Sequence, residues 1–460
     1  MSMYKVTNPA TGEVVREFPT ATDEELTEVL QRSQAAYDAW RASSREERAK
    51  ILSVVSELYK ERADHLASII TREMGKPTRE ALDEIEFSAS IYEYYANEGP
   101  KLLADRRLES PQPGEAWVRM CPIGPVLGIM PWNYPYYQVA RFSAPNLVIG
   151  NTAILKHAPQ CPESALAMEE IFRDAGLPGD VYVNIFATNE QIASMIADPR
   201  VAGVSVTGSE RAGAAVAAVA GQNLKKVVLE LGGSDPYIVL STDDLPGVAR
   251  QTVAARMENG GQACNAAKRM IVLEDIYDQF VSEFTKAMAE QVPGDPTNPA
   301  TTFGPLSSEQ AARNLMAQID DAVEKGATVH LGGGRIEGPG AFVQATVLTD
   351  VTPQMRAYHE ELFGPAAVIY KVGSVDEAVA LANDTRYGLG AAVFARDEQL
   401  ALEVADRLDT GMVWINEAEG GGPELPFGGT KRSGVGRELG PLGIEEFVNK
   451  KLIHTKPAEA

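Results

Sequence analysis

Two side chains stand where covalent chemistry could be done. Cys264 closes the run Asn259-Gly-Gly-Gln-Ala-Cys264, in which glycines let the backbone approach a reacting group and a nearby amide could donate to an oxyanion. A lone cysteine is otherwise most often a small buried hydrophobe, so its meaning depends on its company. That company is Glu230 in Leu229-Glu-Leu-Gly-Gly233, a carboxylate following an apolar strand. Burial among leucines would raise its pKa toward that of a general base; a solvated strand end is the other reading. A cysteine protease would need a histidine base. None of the five histidines (His65, His157, His330, His359, His454) sits in a papain- or caspase-like context. His359-Glu360-Glu361 lacks the HExxH spacing, so no metal chemistry is expected.

No GxGxxG run announces a dinucleotide. The nearest segment, Gly208-Ser209-Glu-Arg-Ala-Gly213, lies where a strand gives way to a helix, so free amides and a hydroxyl could face a phosphate. Such a turn needs small residues anyway, and the spacing alone leaves both readings open.

Positioning these groups takes a large frame. A chain of 460 residues holds about three domains' worth of sequence. With 44% hydrophobic and 23% charged residues, 40 Gly and 28 Pro, it is an ordinary loop-rich globular protein of α/β or α+β class. Lys and Arg total 42 against 64 Asp and Glu, a net charge of −22 spread along the sequence; nucleic acid and anionic membranes are therefore poor partners. Cys121, Cys161 and Cys264 form no CxxC and make an odd count, which suggests a reducing compartment rather than a disulfide framework. The N-terminus lacks an apolar signal core, and the least polar stretch, 212–220, is too short to span a bilayer. A cytoplasmic location is expected.

From 23 to 104 the apolar residues recur at helical spacing (Leu26, Val29, Leu30, Tyr37; then Ile51, Val55, Leu58). Residues 105–122 read as a hairpin leaving the main body. Short apolar runs at 126–130, 153–155, 181–186, 204–206 and 227–231 alternate with amphipathic segments, the pattern of a parallel sheet. A second such block follows Gly232-Gly233, with runs at 237–240, 270–273, 391–394 and 412–415. The blocks meet near 229–235, the kind of crevice where composite sites form.

Seven segments together resemble the aldehyde dehydrogenase superfamily. They are Pro131-Trp-Asn133-Tyr-Pro135, Leu155-Lys156-His-Ala-Pro159, Thr207-Gly208-Ser209, Leu229-Glu230-Leu-Gly-Gly233, Asn259-Gly-Gly-Gln262-Ala-Cys264, Glu360-Glu361-Leu-Phe363-Gly-Pro365 and Pro426-Phe427-Gly-Gly429. They occur in the family's order and cover nearly the whole chain. Within the superfamily the chain is most similar to short bacterial succinate-semialdehyde dehydrogenases, through Leu155-Lys-His-Ala, Gln262-Ala-Cys-Asn-Ala-Ala-Lys-Arg269 and Pro423-Glu-Leu-Pro-Phe-Gly-Gly429.

The resemblance implies an α/β fold of two Rossmann-like parallel-sheet domains with a small β oligomerisation arm. Residues 1–104 and 122–232 would bind the cofactor, with 428–440 returning to them; 233–427 would form the catalytic domain, and 105–121 with 441–460 the arm of a homodimer or homotetramer. It also implies oxidation of an aldehyde to an acid. Cys264 would attack the aldehyde, the Asn133 amide and the Cys264 N–H would hold the oxyanion, a hydride would pass to the nicotinamide, and Glu230 would activate the hydrolytic water. Lys156 would hold the adenosine ribose, Gly208 and Ser209 a phosphate, and Glu361 the nicotinamide ribose. Trp132, Leu231 and Phe363 would lie along the cofactor. Bland readings stand beside these: Phe363 as core, Glu361 as a surface charge, Lys156 as a solvated strand end.

Three departures matter. Pro159 stands where family members devoted to NAD often carry a ribose-binding Glu, so NADP is slightly favoured over NAD. Ala266 replaces the second cysteine of a vicinal redox pair. On the substrate side, Tyr134, Gln138 and Arg141 would lie one helical turn apart along the tunnel. Arg141 would clamp a distal carboxylate, favouring succinate semialdehyde, unless it is bound to a neighbouring acid. Gly421 occupies the place of a substrate-binding Ser, near Phe427, and the loop acids Glu417 and Glu419 would instead welcome a neutral or amino-bearing aldehyde. A coenzyme A acylating enzyme and a non-enzymatic relative are the further alternatives; the presence of both Cys264 and Glu230 argues against the latter.

Overall fold

The computed structural model describes residues 3–418 and 420–456. Four helices fill the opening part: Asp23–Trp40, Arg45–Glu61, Ala63–Met74 and Thr78–Leu102. The first two start at capping boxes, in which Thr22 and Ser44 accept the amides of Glu25 and Glu47 and those glutamates reach back. A hairpin of Tyr4–Thr7 with Val14–Phe18 precedes them; the exposed face of its second strand leaves little alternation to read.

The first sheet runs in the order Gly434–Val435, Lys226–Glu230, Gly203–Thr207, Pro125–Met130, Thr152–His157, Tyr182–Asn184. It is parallel except for the outermost two-residue strand. Chain order reverses about Pro125–Met130, so the carboxyl ends of the strands on either side open a crevice, the usual ligand position in such sheets. Trp132, Lys156, Gly208 and Leu231 all follow or close those carboxyl ends.

Residues 231–234 lead directly into a second sheet. Its order is Thr328–Leu331, Thr346–Thr349, Ala366–Val372, Ala267–Leu273, Asp235–Val239, Ala392–Phe394, Trp414–Ile415, with only the first strand antiparallel. Three of these strands lie beyond those the sequence indicated: Thr328–Leu331 and Thr346–Thr349 are four residues each, and Ala366–Val372 has too continuous an apolar run to show a period. Separate apolar clusters pack both faces of each sheet. A third, antiparallel sheet joins Arg106–Leu108, Glu115–Pro122 and Val448–Thr455 and exposes Leu108 and Leu452. No helix among the described residues is long and apolar enough to cross a membrane.

Candidate functional site

The helix Leu245–Met257 ends in a tight coil in which Asn259, Gly260 and Gly261 all take positive φ. At Gly261 a Cβ would lie 2.2 Å from the Gly364 carbonyl, so glycine is obligatory. The buried Arg256 guanidinium grips this coil, donating to Gly261 O at 2.7 Å and to the Leu362 and Gly364 carbonyls. Asn259 Nδ2 donates to Asn133 O at 2.8 Å, and Asn133 Nδ2 to Gln262 O at 3.0 Å. The Asn133 amide is thus held against the loop that carries Cys264 and keeps its second N–H. Cys264 itself is half-buried and lines a cavity. Burial pushes its thiol up to about 12, with Arg141 and Lys268 pulling the other way.

Glu230 ends the strand Lys226–Glu230, 2% exposed, and both carboxylate oxygens lack a hydrogen-bond partner among the described residues. Burial and the Glu438 carboxylate raise its pKa well above the usual range, against Arg141 and Arg437. The strand end is therefore not solvated. Gly428 makes room for the carboxylate, since a Cβ there would lie 2.6 Å from Glu230 Oε1.

Arg141 departs from expectation. Its side chain is fully buried, and its Nε lies 2.7 Å from Glu438 Oε2 in an ion pair poorly aligned for a hydrogen bond. Its Nη1 donates to Tyr137 Oη at 3.2 Å, and the guanidinium sits 4.3 Å from the Phe427 ring centre. Burial lowers its pKa, but Glu438, Tyr137 and Glu230 outweigh that and hold it firmly charged. The cation packs against the Tyr137 and Phe427 rings, is not among the residues that line the cavity, and among the described residues leaves Nη2 without a hydrogen-bond partner. The substrate clamp expected at Arg141 thus competes with an ion pair to Glu438.

The cavity has a volume of about 730 Å³. Tyr134, Gln138, Phe427 and Gly421 line it with Cys264. Tyr134 sits in the turn before the helix Tyr137–Ile149 rather than on it. Its hydroxyl donates to Glu258 at 2.5 Å, and Lys76 Nζ lies 3.8 Å above its ring. Of the loop acids, Glu417 is exposed and off the cavity lining, and Glu419 lies outside the described residues. The carboxylates that line the cavity are instead Glu80, Asp83, Glu84 and Glu258, together with the cations Lys76, which pairs with Glu84, and Arg437.

On the other side of Cys264, several groups suit a dinucleotide. Lys156 is buried with no ion-pair partner among the described residues, its Nζ 5.8 Å from the Tyr4 ring centre, and burial lowers its pKa to about 8; an anion or polyol would relieve it. It is not a solvated strand end. Ser209 caps the helix Glu210–Gln222, accepting the Ala212 amide at 3.3 Å, and the space beside Gly208 is open, leaving a helix N-terminus for a phosphate. Pro159 is half-buried and places no carboxylate there. Trp132 and Phe363 meet edge-to-face at 5.7 Å between ring centres, both partly exposed, so Phe363 is not core. Glu361 is likewise no stray surface charge: its Oε1 accepts the Gly233 amide at 3.1 Å and lies 3.2 Å from Lys268 Nζ. Leu231 is buried against Gly213, and its amide goes to Ser433 O, which leaves it no free donor for a cofactor.

The aldehyde dehydrogenase family model matches residues 1–453. The chain belongs to the aldehyde dehydrogenase family. It is 56% identical over 456 residues to the succinate-semialdehyde dehydrogenase (NADP+) of Deinococcus radiodurans, covering 99% of this chain and 95% of that protein. A solved succinic semialdehyde dehydrogenase from Streptococcus pyogenes, in complex with NADP+, is 42% identical with a TM-score of 0.97, covering 99% of this chain and 100% of the other. The structure of Gox0499 is 46% identical with the same TM-score, covering 98% and 99%.

This aldehyde dehydrogenase oxidises aldehydes with a nicotinamide dinucleotide as acceptor. Several residues of its site escaped the sequence reading: Glu438 and Arg437 beside Glu230, Lys268 beneath Cys264, and Lys76, Glu80 and Glu258 around the cavity. Only Lys268 left a trace, as half of a cation pair opening the apolar run Ala267–Leu273. The others are charged residues in ordinary-looking polar contexts. Their burial is decided by distant segments.

Proposed function

We propose that the enzyme oxidises succinate semialdehyde to succinate and uses NADP+. The likeness to the Deinococcus radiodurans enzyme over 99% of the chain carries this reading. Cys264 would add to the aldehyde carbon as thiolate; the Asn133 side-chain amide and the Cys264 N–H would hold the oxygen as it becomes negative. A bound nicotinamide supplies a hydride acceptor at Cys264. Glu230, in its dry pocket, would take a proton from the water that cleaves the thioester. Lys156, Gly208 and Ser209 would hold the adenosine ribose and a phosphate, Glu361 the second ribose, and Trp132 and Phe363 the flat ring. Pro159, three residues after Lys156 in sequence, supplies no carboxylate to oppose a 2′-phosphate.

With Arg141 ion-paired to Glu438, the distal carboxylate would fall to Arg437, which lines the cavity and spends Nη1 on the Gly429 and Gly436 carbonyls. The acids that line the same cavity favour a second reading, an amino-bearing aldehyde. Most of that negative charge is already committed. Glu84 pairs with Lys76 and accepts two amides, Glu258 accepts the Tyr134 hydroxyl, and burial raises Glu80 to about 7. Only Asp83 is free and exposed, where solvent screens it. The test compares succinate semialdehyde, butyraldehyde, benzaldehyde and 4-aminobutyraldehyde with both nucleotides, with and without coenzyme A. Succinate semialdehyde should show the highest kcat/KM, with NADP+ and without coenzyme A. Arg437→Ala should erase that advantage, and Arg141→Ala should depress all four alike. A preference for 4-aminobutyraldehyde would install the second reading.

We further propose that the first sheet with its flanking helices is the cofactor domain and the second the catalytic domain. The three-stranded sheet, with Leu108 and Leu452 exposed, would be the arm of a homo-oligomer, in a cytoplasmic enzyme whose three cysteines are free.

A further inference from the structure

Lys268 opens the strand Ala267–Leu273 at 1% exposure, and a lysine is seldom buried so fully unless each of its protons has a partner. Here there are three. Nζ donates to Cys264 O at 2.7 Å and Ala263 O at 3.0 Å, and lies 3.2 Å from Glu361 Oε1. The Ala263 carbonyl belongs to the peptide whose other end is the Cys264 N–H. A cation on the oxygen of a peptide draws electrons from it, strengthens the donor at the nitrogen, and fixes the plane in which that donor points. The adjoining peptide is pinned as well: Gly233 lets Cys264 O approach, since a Cβ there would lie 2.4 Å from it, and the Gly233 amide binds Glu361 Oε1. One ammonium therefore joins both carbonyls of the nucleophile's turn to the carboxylate assigned to the nicotinamide ribose.

We propose that Lys268 is a positioning residue that polarises and orients the Cys264 N–H toward the oxyanion and couples that donor, through Glu361, to the occupancy of the cofactor site. The proposal rests on the roles given above to Cys264 and Glu361. It touches neither aldehyde nor cofactor itself. Its charge also acts on the thiol, which is faced by Arg141, Tyr137, Glu230 and Glu361 as well.

The experiment compares wild type, Lys268→Met and Lys268→Arg on an aldehyde that the wild type oxidises. It records kcat, KM, cofactor affinity by fluorescence titration, and the pH dependence of Cys264 alkylation by iodoacetamide with and without NADP+. Lys268→Met should lower kcat by about 10- to 100-fold, in the range of one weakened oxyanion donor, with aldehyde KM changed less than about threefold. Its alkylation profile should move to higher pH and lose its response to NADP+, and Lys268→Arg should recover most of both. A Lys268→Met enzyme with wild-type kcat and profile overturns the proposal. So does a loss of kcat without a moved profile and without recovery in Lys268→Arg, the mark of a merely structural lysine. A wild type that oxidises no aldehyde with either nucleotide refutes instead the function proposed above.

Discussion

Cys264 and Glu230 are separated by their timing. Cys264→Ala should lower aldehyde oxidation below about a thousandth of wild type while NADP+ titration stays near normal, because the groups suited to the dinucleotide do not lean on the sulfur. Glu230→Gln should give a burst of roughly one reduced nucleotide per site followed by slow turnover, if its task is deacylation; stopped-flow absorbance reads both. Pro159→Glu places a carboxylate three residues after Lys156 and should swing the NADP+/NAD+ ratio of kcat/KM toward NAD+ by about tenfold or more. At this scale the sequence was informative where chemistry demands a residue type in a fixed local string, as around Cys264 and Asn133. It was silent on charge partners. Arg141 could face substrate or a neighbouring acid, and only folding brings Glu438, almost three hundred residues away, to its Nε.

Secondary structure elements here are joined by buried carboxylates as much as by apolar faces. Glu73, near the end of Ala63–Met74, accepts the Glu163 amide at 2.7 Å and the Ser164 amide and hydroxyl at 3.2 and 2.6 Å, capping the helix Pro162–Asp174 from outside. Burial raises its pKa to about 8 in spite of these donors. The folded protein thus keeps a proton that the unfolded chain releases near the ordinary carboxylate range. Its contribution to stability is fullest in acid, falls as pH rises through that range, and is lost above about 8. Thermal melts of wild type and Glu73→Gln from pH 5 to 8.5 should show a wild-type Tm that declines relative to the variant as pH rises. Periodicity announced the opening helices, and short apolar runs announced most strands of both sheets; neither announced a carboxylate working across two elements, the unbroken apolar strand Ala366–Val372, nor four-residue strands such as Thr346–Thr349 that are held by their neighbours.

Across the whole molecule, a net charge of −22 keeps copies apart unless a specific surface overrides it. The three-stranded sheet is the candidate, with Leu452 63% exposed. Leu452→Glu should yield smaller species by light scattering, with per-site kcat changed less than about threefold if the active sites are independent. An unchanged mass would move the interface elsewhere. The two-sheet plan was legible because seven short strings in family order imply it. The crevice between the sheets was legible only as a place, near 229–235. Its walls come in part from the helix Thr78–Leu102, whose inward charges Glu80, Asp83 and Glu84 look in sequence like any solvated face, and in part from residues between 411 and 442.

The strand Gly434–Val435 pairs with Lys226–Glu230 on the outer edge of the first sheet. On the ribosome, some two hundred residues must follow Glu230 before that edge can be covered. During this interval a nascent chain can build five strands and dock the helices around them, but the carboxylate meant for a dry pocket still faces water. Glu230 can therefore reach its buried setting only once the segment carrying Gly434–Val435 and Glu438 has been made. Until Gly434–Val435 emerges, the open edge is also a point at which one growing chain is exposed to another.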